Sequence, residues 1–224
     1  MGDIVFYDGS ATPYTNGLTL TDAQKNAAIA VIFYVGTELN NANDTTTVRT
    51  LGVGLQQSEN ELAWTAGNAA NINISTVNPS DKNGSDNLEQ IGQFLDQNGS
   101  TDDTGDASKY PAFYYAKNYK NVTGSHVAGT MYESGWYLPS SAELTKVYLA
   151  KETVNAAIDL CGGKQFGSDS ADPWYRTSTQ HNTAETNCYQ INFSNGNTTN
   201  YNKKYTYTKP GDYYYGYASA IREF

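Results

Sequence analysis

The chain is poor in the residues from which most catalytic centres are built. Its 224 residues include two histidines, His126 and His181, and two cysteines, Cys161 and Cys188. Neither histidine has a Ser, Cys or acidic neighbour in a nucleophile signature, so the sequence gives no support for a catalytic triad. The cysteines fall in neither a CxxC nor a metal-ligand spacing, and a bridge and two separate thiols both remain open. No GxGxxG or GxxxxGK[ST] phosphate loop is present. Charge is scarce as well, at 17% of residues, with a net of −9 and an isoelectric point near 4.6. Such an acidic field repels a polyanion before any base can be read, which excludes nucleic acid as a partner. No apolar run reaches the roughly 18 residues of a membrane span. The start, Met1-Gly2-Asp3-Ile4, has neither a basic nor an apolar leader region, so the expectation is a cytosolic protein or one whose export signal has been removed.

What the chain has instead is hydrogen-bonding surface. Nineteen tyrosines stand against seven phenylalanines, with 20 glycines and a mean hydropathy of −0.60. Asn, Thr, Ser, Gly and Tyr take the place of the usual Lys and Glu, a composition similar to that of extracellular and surface proteins. The length suits one large domain or two small ones, able to bury about 70% of the unfolded surface. The acidity is uneven: residues 1–173 carry 9 basic and 20 acidic side chains, net −11, while residues 174–224 carry 5 and 3, net +2.

Local patterns predict an α+β fold with helices clustered in the middle and an antiparallel sheet drawn from both ends. Thr21 and Gln24 have capping-box spacing and should open a short helix, followed by a buried strand over residues 29–35. Residues 47–55 should pair with it as a hairpin, and residues 61–64 should add a third strand. Residues 67–84 read as a long loop until Ser85 caps a helix with Leu88, Ile91 and Leu95 on one face, ending at Asn98-Gly99. Pro111 suits a first helical turn that sets Ala112, Tyr115, Ala116 and Tyr119 on a packing face. The most specific local signal is Gly135-Trp136-Tyr137-Leu138-Pro139, after which Ser140 and Glu143 form a second capping box for a helix over residues 141–149. A helix over residues 154–160 should stop at Gly162-Gly163, with strands near residues 174–178, 188–193 and 217–224 beyond loops at Asn195-Gly196 and Pro210-Gly211.

Two acidic features invite chemistry. Asp102, Asp103 and Asp106 suggest a hard cation, but the spacing lacks the distal bidentate Glu of a calcium loop, so a solvated loop is expected and no metal is assigned. Glu133 and Glu143 would make a carboxylate pair, except that capping already accounts for Glu143; Glu133 stays open. The C-terminal region is more distinctive. Its tyrosines, Tyr175, Tyr189, Tyr201, Tyr205, Tyr207, Tyr213, Tyr214, Tyr215 and Tyr217, interleave with Asn182, Asn187, Asn192, Asn195, Asn197, Asn200 and Asn202. Rigid amphipathic Tyr with adaptable amides is the composition of antibody paratopes. Three consecutive tyrosines cannot all be core, so the region is expected to present one contiguous exposed patch.

Gly135-Trp136-Tyr137-Leu138-Pro139 with Glu143-Leu144, then Trp174-Tyr175-Arg176-Thr177-Ser178, Ile191-Asn192-Phe193-Ser194-Asn195-Gly196 and Ala220-Ile221-Arg222 together resemble, in order, the motifs of the C-type-lectin fold of the formylglycine-generating-enzyme type. More narrowly the chain is similar to the variable proteins of diversity-generating retroelements, the surface-lipoprotein type of treponemes among them. The resemblance implies a single domain over residues 1–224 whose part at residues 174–224 is diversified by adenine-directed mutagenesis and displayed as a ligand-binding surface. Asn codons of the AAC type then reach Tyr, Ser, Asp, His, Thr, Ala, Cys, Arg and Gly but not Lys, Gln, Glu, Met or Trp. On that rule Trp174, Gln180, Glu185, Gln190, Lys203, Lys204, Lys209 and Glu223 are fixed scaffold. The variable, ligand-binding candidates are Tyr175, Arg176, Thr177, Thr179, His181, Asn182, Thr186, Asn187, Cys188, Asn192, Asn195, Asn197, Thr198, Asn200, Tyr201, Tyr213, Tyr214, Tyr215 and Tyr217. Arg176-Thr177 departs from the Ser-rich run usual after the Trp.

The enzyme of that fold works with a cysteine pair, and Cys188 alone cannot reproduce it, so the expectation is a non-enzymatic binder without cofactor. Its implied partner is a macromolecule, protein or glycan. Surface location would come through a lipid anchor absent from this chain, and no heptad or long apolar edge calls for an assembly beyond the monomer. The alternatives are a fixed-specificity lectin or adhesin of the same fold and, behind it, an oxidase of the formylglycine-generating type or a structural surface protein.

Overall fold

A computed structural model describes residues 1–40, 44–66, 82–100, 103–168, 170–181, 186–203 and 216–224. The chain is α+β and its sheets are antiparallel. A five-stranded sheet has the order β2-β1-β3-β4-β8, formed by β1 (Ile4–Phe6), β2 (Ala11–Thr12), β3 (Ala28–Gly36), β4 (Arg49–Gln57) and β8 (Ser219–Glu223). The last strand thus closes a sheet begun by the first. A three-stranded sheet, β5-β6-β7, is made of β5 (Trp174–Gln180), β6 (Asn187–Asn192) and β7 (Thr198–Asn202).

Between them lie α1 (Asp22–Ala27), α2 (Gly84–Gln97), α3 (Pro111–Lys117), α4 (Ser141–Leu149) and α5 (Lys151–Leu160). Both capping boxes form as the spacing predicts, Thr21 with Gln24 and Ser140 with Glu143. Pro111 occupies the first turn of α3, and α2 closes at Asn98 with Gly99 at φ +62°. Two details differ from expectation. Asn83, not Ser85, caps α2, accepting from the Ser85 N–H at 3.0 Å. Residues 61–64 form no strand, because their polar backbone is spent singly: Leu62 N–H donates to Gly216 O and Leu62 O accepts from Arg176. The loop expected over residues 67–84 lies outside the described residues up to 81.

The large sheet is covered on both faces. Leu51, Val53 and Leu55 of β4 join Val31 and Phe33 of β3 against Leu144 and Val147 of α4 and Val154, Ala157 and Ile158 of α5. The opposite face of β4 carries Gly52 and Gly54, where a Cβ would come within 2.6 Å of the Phe224 ring and 2.4 Å of the Tyr119 ring. The Leu-Gly-Val-Gly-Leu alternation is therefore a packing code: branched side chains for the helices, bare backbone for aromatic rings. That second core holds Trp64, Tyr110, Phe113, Tyr119 and Trp136, with edge-to-face contacts such as Trp64–Phe113 at 4.7 Å.

A buried ion pair ties these layers together. Arg49, 4% exposed, donates to Glu223 at 3.0 Å, Tyr137 OH at 2.9 Å, Leu39 O at 2.7 Å, Asn83 Oδ1 at 3.3 Å and Glu143 at 3.4 Å. Glu143, fully buried, accepts in addition from the N–H groups of Ser140 at 2.8 Å and Gly84 at 2.9 Å and from Tyr137 OH at 3.0 Å. Burial pushes the Glu143 carboxyl up, against the pull of these donors. Burial also opposes the charge of Arg49, yet Tyr137, Glu143 and Glu223 hold its guanidinium above the ordinary value.

Removing one member leaves the other charge buried and uncompensated. Arg49→Ala or Glu143→Ala should therefore cost about 3–5 kcal/mol, whereas Ser140→Ala, which deletes one cap hydrogen bond, should cost about 1 kcal/mol. Chemical denaturation of the three variants measures the difference.

Candidate functional site

Strand β5 is enclosed on both sides, and this decides the fate of most polar positions in the C-terminal region. On one side α2 and α4 reach it: Asn87 donates to Ser178 Oγ at 2.9 Å, and the Ser141 N–H donates to Thr179 Oγ1 at 2.9 Å. On the other side Trp64 donates through Nε1 to Thr177 O at 3.1 Å, and Arg176 donates to Leu62 O at 3.1 Å and to Cys188 Sγ at 3.3 Å. Arg176, Thr177, Thr179 and Cys188 are each 0% exposed.

Seven candidates are therefore withdrawn from any surface. Besides those four, Tyr175 packs among Phe166, Phe193 and Tyr217 and accepts from the Gly167 N–H at 3.1 Å. Tyr217, on that same ring cluster, has the Lys164 ammonium 5.5 Å from its centre. Asn192 is a turn-builder: its Oδ1 accepts from Ser194 N–H at 2.7 Å and Oγ at 2.6 Å, while its amide donates to Asp172. The expected single exposed patch does not hold for these positions, since all seven are buried. Asn182, Tyr213, Tyr214 and Tyr215 lie outside the described residues, as do Glu185, Lys204, Lys209, Tyr205, Tyr207 and the Pro210-Gly211 loop.

What remains exposed is organised by the β6–β7 ladder. The register pairs Asn187 with Asn202, Tyr189 with Asn200 and Ile191 with Thr198, so these side chains share one face. Asn187 donates to Asn200 Oδ1 at 2.7 Å, Thr186 donates to Asn187 Oδ1 at 3.3 Å, and the rings of His181 and Tyr189 lie 5.2 Å apart. Toward Ile191 this face runs under α4; toward Asn187 and Asn202 it is open. Asn195, Asn197 and Thr198, all exposed, rim it at the turn closed by Gly196 at φ +77°. Tyr201 is on the reverse face with Trp174, ring centres 5.8 Å apart. Tyr189 and Asn202 belong to the open face too, although they are not among the ligand-binding candidates named from the sequence.

Among the described residues of the region, Arg176 and Lys203 are 0% exposed, so these two charges point inward. Lys203 donates to Gln180 Oε1 and sits 4.5 Å over the Trp64 ring. Gln180 and Gln190 are likewise buried. Of the residues assigned as fixed scaffold, Glu223 is exposed but bound to Arg49, and Trp174 is half-buried.

The other candidate chemistry is spoken for. Glu143 is sealed in the core while Glu133 is exposed, accepting from Gly129 N–H at 3.0 Å and pairing with Lys120, so the two do not form a carboxylate dyad. Asp103 and Asp106 build Asx turns onto Gly105 and Ser108. Asp102 lies outside the described residues, among which no cluster of three metal-type ligands occurs. His126, at φ +58°, bonds Ala28 O through Nδ1 at 2.9 Å. No described helix is long and apolar enough to cross a membrane.

Cys161 and Cys188 are unbridged and buried. Burial pushes the Cys161 thiol up to about 11 and raises that of Cys188 despite the neighbouring Arg176 and Lys203 charges. A thiol held protonated is a poor nucleophile. Comparison of the chain with protein-family models and with curated proteins gave no match. Both thiols should resist a disulfide reagent at pH 8 in the native protein and react fully in denaturant, as absorbance of the released thiolate will record.

Proposed function

We propose that the chain is a ligand-binding domain of a surface-displayed protein, with the C-type-lectin fold of the formylglycine-generating-enzyme type and a C-terminal region diversified to meet varied partners. One observation carries this reading: among the described residues the open face is made of types that adenine mutagenesis of an Asn codon can produce, Asn187, Tyr189, Asn200 and Asn202, while Gln180, Gln190 and Lys203, which it cannot produce, lie in the frame beside buried reachable types such as Thr177 and Thr179. Gln180, Gln190 and Lys203 are buried. His181, Thr186, Asn187, Asn195, Asn197, Thr198, Asn200 and Tyr201 are exposed or half-exposed. A side chain at these positions changes identity without opening the core.

The sheet that joins the first and last strands, and the Trp136–Pro139 segment leading into the capped helix α4, agree with the fold proposed. Binding without chemistry fits the sealed thiols and the engaged carboxylates. Amide and hydroxyl groups around Tyr189 suit a protein or glycan surface, where Tyr supplies contact area and Asn adapts its hydrogen bonds. Attachment to the cell surface would come through a lipid anchor, and the binding unit is a monomer.

Sequencing the locus in a growing population tests the proposal. Substitutions should fall at the codons of His181, Thr186, Asn187, Asn195, Asn197, Thr198, Asn200 and Tyr201, spare those of Gln180, Gln190 and Lys203, and match a nearby template repeat that differs at adenines. Substitutions spread evenly over both groups, or a locus without such a repeat, would refute it.

A further inference from the structure

The last two side chains of β8 leave the strand on opposite faces. Glu223 turns to Arg49. Arg222 turns the other way, its guanidinium carbon 5.3 Å from the centre of the Tyr132 ring and 5.9 Å from that of Phe224. Gly135 backs it at φ +84°, where a Cβ would come within 2.5 Å of Nη1. The glycine opening the Gly-Trp-Tyr-Leu-Pro segment thus gives the guanidinium its seat. Among the described residues that guanidinium makes no hydrogen bond or ion pair, and its Nε is buried without a partner. Burial lowers the Arg222 pKa, with only Tyr132 acting in the other direction. The buried cations Arg49, Arg176 and Lys203 each have an acceptor, whereas half-buried Arg222 faces a cavity of about 320 Å³ bordered by Leu88, Trp136, Gly135 and Ser85. Glu223 also borders it, held by Arg49.

We propose that this cavity binds the carboxylate of a small organic acid, with the Arg222 fork as its counter-charge, the Ser85 hydroxyl as a further donor and Leu88 and Trp136 against the acid's apolar body. The planar guanidinium matches a carboxylate in two parallel hydrogen bonds. Charge sets the class. The cavity offers one cation in a protein of net charge −9, with Glu223 at its edge, which suits a monoanion and disfavours a phosphate dianion. Its volume admits a single small molecule, and the site is separate from the β6–β7 face and independent of the function proposed for it.

The test is an NMR titration of the full chain with 3-phenylpropionate, its neutral amide and inorganic phosphate, followed at the Leu88 methyls and the Trp136 indole. The acid should give saturable shifts at both groups. The amide, and the acid with Arg222→Gln, should bind at least about tenfold more weakly, and Arg222→Lys should fall between. Equal affinity for acid and amide, tighter binding of phosphate, or an Arg222→Gln variant that binds like the parent would overturn the proposal, as would the absence of saturable shifts with the acid up to about 50 mM. If Arg222→Gln does not fold, the contrast between acid and amide on the unaltered chain decides the matter alone.

Discussion

The buried contact between Arg49 and Glu143 is the constraint on which the arrangement of layers depends. It joins the second long strand of the large sheet to the first turn of α4, and its secondary partners bring in the start of α2 through Asn83 and Gly84 and the closing strand through Glu223. Two charges removed from water are costly, and here each lone pair and N–H on the facing side is used. Such a network fixes geometry more than it adds stability. It sets where α4 begins, and α4 in turn receives β5 through Thr179 and lies over Ile191 of β6.

From that anchor the C-terminal region divides by depth. Strand β5 is clasped by Trp64 and Leu62 on one side and by Asn87 and Ser141 on the other, so its hydroxyls and guanidinium serve as interior connectors. Among the described residues β7 is the outer strand of its sheet, and the face it shares with β6 leaves the Asn187, Tyr189, Asn200 and Asn202 side chains in partial solvent contact. The division separates side chains that serve the interior from side chains that meet solvent, and the proposed function rests on that separation.

Local chemistry was legible in the sequence to the degree that it is local. The two capping boxes, the proline-led α3, the β3–β4 hairpin and the glycine stop of α2 all follow from near neighbours, and all form. What escaped depends on distant partners. The β7 segment, Thr-Thr-Asn-Tyr-Asn, carries no strand signal because its strand character comes from the backbone ladder with β6 and from no apolar alternation. Strands β1 and β2, short and polar-flanked, went unread for the same reason. Polarity was the misleading signal at the site: Arg176, Thr177, Thr179 and Asn192 look like surface residues, yet acceptors and donors 12 to 114 positions away satisfy them inside. Residue type is no better guide to depth, since Gln180, Gln190 and Lys203 are buried together with Arg176, Thr177, Thr179 and Cys188, while Glu223 is exposed.

The central claim is that the frame and the open face are energetically separate, and two displayed libraries scored for resistance to protease test it most directly. One library randomises Asn187, Tyr189, Asn200 and Asn202; the other randomises Gln180, Gln190 and Lys203. The account predicts that most members of the first stay resistant, since exposed substitutions typically shift stability by within about 0.5 kcal/mol, and that most members of the second are cleaved. Comparable losses in the two libraries would contradict it, because the open face would then be part of the frame.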